Sequence, residues 1–191
     1  MKVLIACEES QEICKAFRRL GHDAYSADRK KCTGGHPEWH LQGDVIEILY
    51  DKWDLVIANP PCTFLTSAGA NRLFGPDHEI KDEVREELGW QAKEFFMEFV
   101  NAPCSRVCIE NPTPMTYFGL PMYDQVIHPY MFGDPWKKRT CLWLKGLPQL
   151  KETYRVVPKG SWTEKTRIGT MRSKTFPGIA AAMADQWGRF V

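Results

Sequence analysis

Three short apolar runs, residues 2–6, 54–58 and 106–109, each stop abruptly at polar or reactive side chains. Runs of that length, rich in Val, Leu and Ile, suit strands buried on both faces. Helical patterns lie between and after them. Residues 11–20 follow Ser10, which can cap a helix, and precede Gly21. Residues 82–100 carry Trp90, Phe95, Phe96 and Phe99 at helical spacing. Residues 22–27 read as a strand ending at Asp28, residues 125–131 and 140–144 as two more. A last helix is expected over 177–190, with Pro177 in its first turn. Strand and helix in alternation imply an α/β domain: a mainly parallel sheet with helices on both faces, Rossmann-like, over residues 1–191.

Ligands of such sheets gather at the carboxyl ends of the strands. The chemically loaded residues fall there: Cys7-Glu8-Glu9, Asp28, Asp44, Asn59 to Cys62, and Glu110-Asn111. The chain has 191 residues, enough to bury about 70% of its unfolded surface. Its core therefore needs no disulfide or structural metal. Seven cysteines, with no CxxC pair, read as reduced thiols. No apolar run approaches the ~20 residues of a membrane helix. Glu8 and Glu9 cut the N-terminal run too short for a signal peptide. The expected location is the cytoplasm, with no membrane partner. Charge nearly balances, at 25 Lys or Arg against 24 Asp or Glu. It is unevenly placed: residues 134–175 carry 11 basic residues against 3 acidic ones. That third of the chain offers a surface for phosphates, or a solvated lysine-rich loop region.

Four constellations could carry chemistry. In Asn59-Pro60-Pro61-Cys62-Thr63 two prolines stiffen the turn after a buried strand. A thiol held there can act as a covalent nucleophile or pack as a small hydrophobe. In Glu110-Asn111-Pro112 a carboxyl group in a partly apolar cleft can hold a proton near neutral pH, or simply pair with a lysine. Lys137-Lys138-Arg139 precedes a strand, and arginine presents a planar fork to a carbonyl or phosphate. Asp28 and Asp44 end strands, and an acid after the second strand commonly takes ribose hydroxyls.

In this order, with a late Arg172-Ser173-Lys174-Thr175-Phe176-Pro177-Gly178, these residues resemble a DNA cytosine-5 methyltransferase. The chain is more closely similar to the short, phage-encoded members of that family, which lack a large target-recognition domain. The resemblance covers nearly the whole chain, and Pro-Pro-Cys followed by Glu-Asn-Pro carries it. It implies the S-adenosylmethionine-dependent methyltransferase fold, a DNA partner, and a bacterial or phage-infected host cell. It implies that Cys62 adds to carbon 6 of cytosine, that Glu110 protonates ring nitrogen 3, and that Arg139 holds the carbonyl oxygen or assists Glu110. It places S-adenosylmethionine against Ala6, Cys7, Glu8 and Ser10, with Asp28 on the ribose, Asp44 near the adenine, and Asn59 and Pro60 lining the pocket. Thr63, Asn111, Lys137, Lys138 and Arg172 then face the nucleic acid.

The sequence departs from the family at three places. Ala6-Cys7-Glu8-Glu9-Ser10 lacks the glycines of the family's first motif. Asn59 stands where the family usually has glycine, so Asn-Pro-Pro also resembles the amino-methyltransferases, which act on an exocyclic base amine. Residues 145–175 form a basic, irregular segment in place of a target-recognition domain. Two alternatives stay open: an amino-methyltransferase working through Asn59, and a nucleic-acid-binding protein that kept the fold without the chemistry. Duplex DNA, single-stranded DNA, RNA or a free nucleotide all remain as substrates, and a homodimer or partner subunit is possible. Cys32, His36 and His40 recur at intervals of four in a glycine-containing loop. That spacing matches no strong zinc pattern, so no metal is expected and the loop is read as lying beside the substrate cleft.

Overall fold

The computed structural model describes residues 1–166 and 173–189. Seven strands form one sheet: β1 (Lys2–Ala6), β2 (Asp23–Asp28), β3 (His40–Gln42), β4 (Leu55–Ala58), β5 (Val107–Asn111), β6 (Gln125–Ile127) and β7 (Thr140–Lys145). Their order is β3-β2-β1-β4-β5-β7-β6. The first five are mutually parallel, and β7 runs antiparallel to both β5 and β6. A dinucleotide-binding sheet would place β6 directly beside β5. Here β7 is wedged between them, so its amino end reaches the edge where β1, β4 and β5 finish.

Helices α1 (Glu12–Arg19), α2 (Val45–Leu49), α3 (Ala70–Leu73), α4 (Glu83–Val100), α5 (Trp162–Lys165) and α6 (Pro177–Gly188) complete the described elements. Side chains alternate across the sheet, which is why the central strands are apolar throughout. Val3, Ile5, Leu55, Ile57, Cys108 and Leu142 face one side, with Phe17 of α1 and Ile179, Met183 and Trp187 of α6. Leu4, Ala6, Val56, Ala58, Val107, Ile109 and Trp143 face the other, with Leu49 of α2 and Phe96 and Phe99 of α4. Each large side chain buried this way contributes roughly 1.5–3 kcal/mol. The expected α/β architecture, with helices on both faces, is present.

Several local expectations change. Ser10 does not cap α1: Gln11 occupies the cap position in a left-handed conformation, with φ 59°. The carboxylate of Glu8 reaches forward and accepts the N–H groups of Ile13 (2.8 Å) and Cys14 (3.2 Å). Buried acid thus satisfies the orphan donors of the first turn. The strand expected over 125–131 ends at Ile127, and a short 3₁₀ turn, Pro129–Met131, follows. β3, α2, α3 and α5 add to the expected elements, α5 standing within the 145–175 segment expected to be irregular, and Asp44 caps α2 through the Ile46 N–H at 2.9 Å.

The Thr-Phe-Pro-Gly stretch docks α6. Asp134 accepts the Gly178 N–H at 2.9 Å. A Cβ at Gly178 would lie 1.9 Å from the Phe132 carbonyl oxygen, so only glycine allows this approach. Among the described residues no helix is long and apolar enough to cross a membrane.

Candidate active site

The registers bring the strand-end residues into one row. One step past the paired Ala27, Ala6, Ala58 and Ile109 stand Asp28, Cys7, Asn59 and Glu110. The ladder continues into this row, because the Asn59 N–H donates to the Ala6 carbonyl at 3.0 Å. Asn59 and Glu110 are therefore neighbours on adjacent parallel strands, on the α1–α6 side of the sheet.

The loops after β4 and β5 are fastened together. The Asn111 side-chain amide donates to the Pro60 carbonyl at 2.9 Å. The Met115 N–H donates to Leu65 O at 2.7 Å, and the Ser67 N–H to Thr113 O at 2.9 Å. The Thr66 hydroxyl also reaches Thr113 O, at 3.4 Å. Cys62, half-buried, thus sits on a turn anchored to the strand that carries Glu110. Asn111 is buried at 2% exposure, so it positions the Pro-Pro-Cys turn and does not reach outward. Thr63 is exposed, and its carbonyl accepts the Arg85 guanidinium at 2.7 Å. Beside the joined loops lies a hollow of about 450 Å³, walled by Phe74, Pro114, Met115 and Tyr117.

The two residues just before β7 are cations with different partners. Lys138 Nζ lies 4.0 Å from Glu110 Oε1, both side chains being 16% exposed. Arg139 donates from Nε to the Thr113 hydroxyl and from Nη2 to the Tyr123 hydroxyl, each at 2.9 Å. The alternation of an antiparallel strand explains the split. Lys138 shares the face of Leu142, which opposes Glu110; Arg139 shares that of Cys141, which opposes Asn111. Of the two residues, the one beside the glutamate is the lysine. Lys137 is exposed, its backbone paired with Gly160 and Trp162.

On the β1–β3 side more of the side chains hold each other. Burial pushes Glu8 up to about 7, against the opposing pull of the Ile13 and Cys14 N–H groups. Its two oxygens face α1. Cys7 takes the left-handed conformation, φ 59°, that glycine usually supplies. Its thiol is pushed up, first by burial and then by the charge of Asp28. Ser10 is buried, and its carbonyl packs against Gly34. Gln11 is fully buried and ties the following loop down: its amide donates to His36 O at 2.8 Å and its oxygen accepts the His36 N–H at 3.0 Å. Asp44 accepts from Ile46 and pairs with Arg29 at 2.7 Å; the helical N–H, then Arg29, hold it below the usual carboxylate range. Asp28 is half-buried, with one oxygen accepting the Lys30 N–H at 2.9 Å.

The loop residues expected beside the cleft hold the loop itself. His36 stacks on Trp39, and His40 bonds the Ser26 hydroxyl and the Lys30 carbonyl. Among the described residues no group of three His, Cys, Asp or Glu is placed to hold a metal ion. Arg172 lies outside the described residues.

Two buried acceptors stand without partners, one on a residue the sequence singled out and one, on His128, with no sequence signal. Asn59 Oδ1 is shielded from solvent and accepts no hydrogen bond. His128 follows β6 and, one step past the Ile127–Thr140 pair, stands opposite Arg139. Its Nδ1 is likewise buried without a partner. Burial, then Arg139 and Lys137, hold its pKa below the usual histidine range.

For a nucleoside cofactor, the structure offers Asp28 at the end of the second strand, where ribose hydroxyls are usually held. Pro60 is buried and Asn59 Oδ1 has no partner in the same row. These residues fit such a group; the side chains of Glu8 and Asp44 are already engaged by the protein. Neither protein-family models nor curated proteins give a match to this chain.

Proposed function

We propose that the chain is an S-adenosylmethionine-dependent methyltransferase acting on carbon 5 of cytosine in DNA, with Cys62 as covalent nucleophile. The observation that supports this best is the fastening of the loop that carries Pro-Pro-Cys to the end of the Glu110 strand and the loop after it, by four hydrogen bonds of which one, from Asn111 to Pro60, holds the turn itself. A nucleophile and a proton carrier that serve one ring must keep a fixed separation.

The chemistry follows from the poor nucleophilicity of carbon 5. The Cys62 thiolate forms a bond to carbon 6, and Glu110 supplies a proton at ring nitrogen 3, so electron density collects at carbon 5. S-adenosylmethionine supplies an electrophilic methyl group for that carbon. Methyl transfer leaves the sulfonium as the thioether S-adenosylhomocysteine; a base then takes the carbon 5 proton, the ring double bond re-forms, the Cys62 thiolate leaves and the proton on ring nitrogen 3 returns to Glu110. Lys138 Nζ stands 4.0 Å from the Glu110 carboxyl group. Arg139, fixed by Thr113 and Tyr123, is held ready for the carbonyl oxygen. A base in duplex DNA would first have to leave the stack.

The unpartnered Asn59 Oδ1 favours a second reading, in which it accepts a hydrogen bond from an exocyclic base amine that receives the methyl group. One experiment separates the two. Labelled S-adenosylmethionine is offered with duplex DNA, single-stranded DNA, transfer RNA and cytosine nucleotides, and the modified nucleoside is identified by mass spectrometry. 5-Methylcytosine that disappears in Cys62→Ala supports the first reading. A methylated exocyclic amine that survives Cys62→Ala and disappears in Asn59→Ala supports the second. Cofactor binding with no transfer to any substrate rejects both and leaves a binding protein.

A further inference from the structure

Beyond the row of strand ends, the face formed by β6, the amino end of β7 and the segment after it interleaves cations with aromatic rings. His128 stacks on Tyr130 at 5.1 Å between centroids, with 21° between the planes. The Arg155 guanidinium covers Tyr130 at 5.3 Å from its centroid. Arg139 stands opposite His128 and 5.8 Å from the Tyr123 ring. The Tyr154 ring is 70% exposed, on backbone that bridges Phe132. Lys137 is exposed on the same segment, and Arg139 and Lys137 are close enough to depress His128.

We propose that this face is a binding platform for single-stranded DNA, with Tyr154 stacking on a base next to the target and Lys137 meeting a phosphate. The proposal rests on the catalytic reading above and names the form of its substrate. Charge complementarity selects a polyanion: residues 134–166 carry eight Lys or Arg against Asp134, Glu152 and Glu164. Asp134 is turned inward to Gly178, and Glu152 is paired with Arg155. Reading a duplex in its groove takes a helix or a β-ribbon that enters it. Among the described residues of this segment the one helix is α5, four residues long, whose Trp162 packs on Trp136 and Phe176. Exposed rings beside cations are what single strands require, because every base offers a face to stack. A strand bound this way also needs no base flipping to present a cytosine to Cys62.

The test is fluorescence anisotropy of the full chain, without cofactor, on a labelled 20-nucleotide DNA strand, its duplex and the RNA strand of the same sequence. The DNA strand is expected to bind at least about tenfold tighter than either competitor. Tyr154→Ala should weaken strand binding about 5- to 150-fold, the range for one lost base stack, and Tyr154→Phe should restore it. Lys137→Ala should reduce the salt slope by about 0.7. Equal or tighter binding of duplex or RNA, or full affinity in Tyr154→Ala, overturns the proposal. Strand binding that persists in a protein inactive on every methyl acceptor would still support the platform. Undiminished single-strand methylation by Tyr154→Ala would reject it and leave the catalytic reading intact.

Discussion

The two halves of the sheet edge treat their polar residues differently. On the β1–β3 side, Glu8, Gln11 and Asp44 turn back onto α1, the following loop and α2. On the β4–β5–β7 side, Asn111 and backbone groups do the fastening, Glu110 meets Lys138, and Asn59 Oδ1 is left without a partner in the row. One half holds its shape with the side chains that a ligand would otherwise meet. The other holds its shape through Asn111 and backbone groups. Substitutions should therefore separate: stability should fall on the first side, turnover on the second.

The largest separation should come from the thiol. Cys62→Ala should lower methyl transfer at least about 10³-fold while the melting temperature stays within a few degrees. Glu110→Gln, which cannot deliver the proton, should cost roughly 10²–10⁴-fold in kcat. Steady-state kinetics beside thermal unfolding would check both.

Asn111→Leu sharpens the contrast because it loosens the Pro-Pro-Cys turn without touching substrate. A buried amide and its acceptor lose each other, which costs about 1–3 kcal/mol. The expected signature is a fall in kcat larger than the rise in KM, readable from a substrate titration.

The opposite half is probed by pH. Glu8 sits near 7 in the fold against 4.5 in the unfolded chain. The folded state then binds more protons between those values, so this stabilising contribution is full below 4.5 and is lost as pH rises through about 7. The contribution amounts to about 3 kcal/mol. Glu8→Gln should flatten the dependence of unfolding free energy on pH over that window, measured by denaturant titration. It should leave kcat at saturating cofactor within a few-fold.

Gly178→Ala probes neither half and sets a baseline for pure packing. Its methyl group would meet the Phe132 carbonyl, so a loss of about 1–3 kcal/mol is expected in the same titration, with normal turnover in the folded fraction.

What the sequence revealed divides along similar lines. β1, β4 and β5 are readable because strands covered on both faces are apolar throughout, and the residues that end them are conspicuous. β3 and α2 have three and five residues, too few to show a period. The cap of α1 was hidden for a different reason. Cap preferences look at the residue before the helix, whereas Glu8 reaches past a left-handed Gln11 from three residues further back. Pairing Lys138 with Glu110, and setting His128 opposite Arg139, depend on the registers of β7 with β5 and β6. Those contacts span up to 28 residues and leave no local trace. Asn111 was visible as part of a motif, but its inward role is a tertiary fact.

The central claim is that Cys62 bonds to a cytosine held beside Glu110. A DNA oligonucleotide carrying 5-fluorocytosine tests it most directly, because fluorine at carbon 5 cannot leave as a proton does. With S-adenosylmethionine present, the ring should stay attached to the thiol after methyl transfer. Intact-protein mass spectrometry should show a one-to-one adduct, mapped to Cys62 by peptide analysis and absent in Cys62→Ala. Methyl transfer to cytosine with no adduct, or an adduct on another residue, would contradict the account.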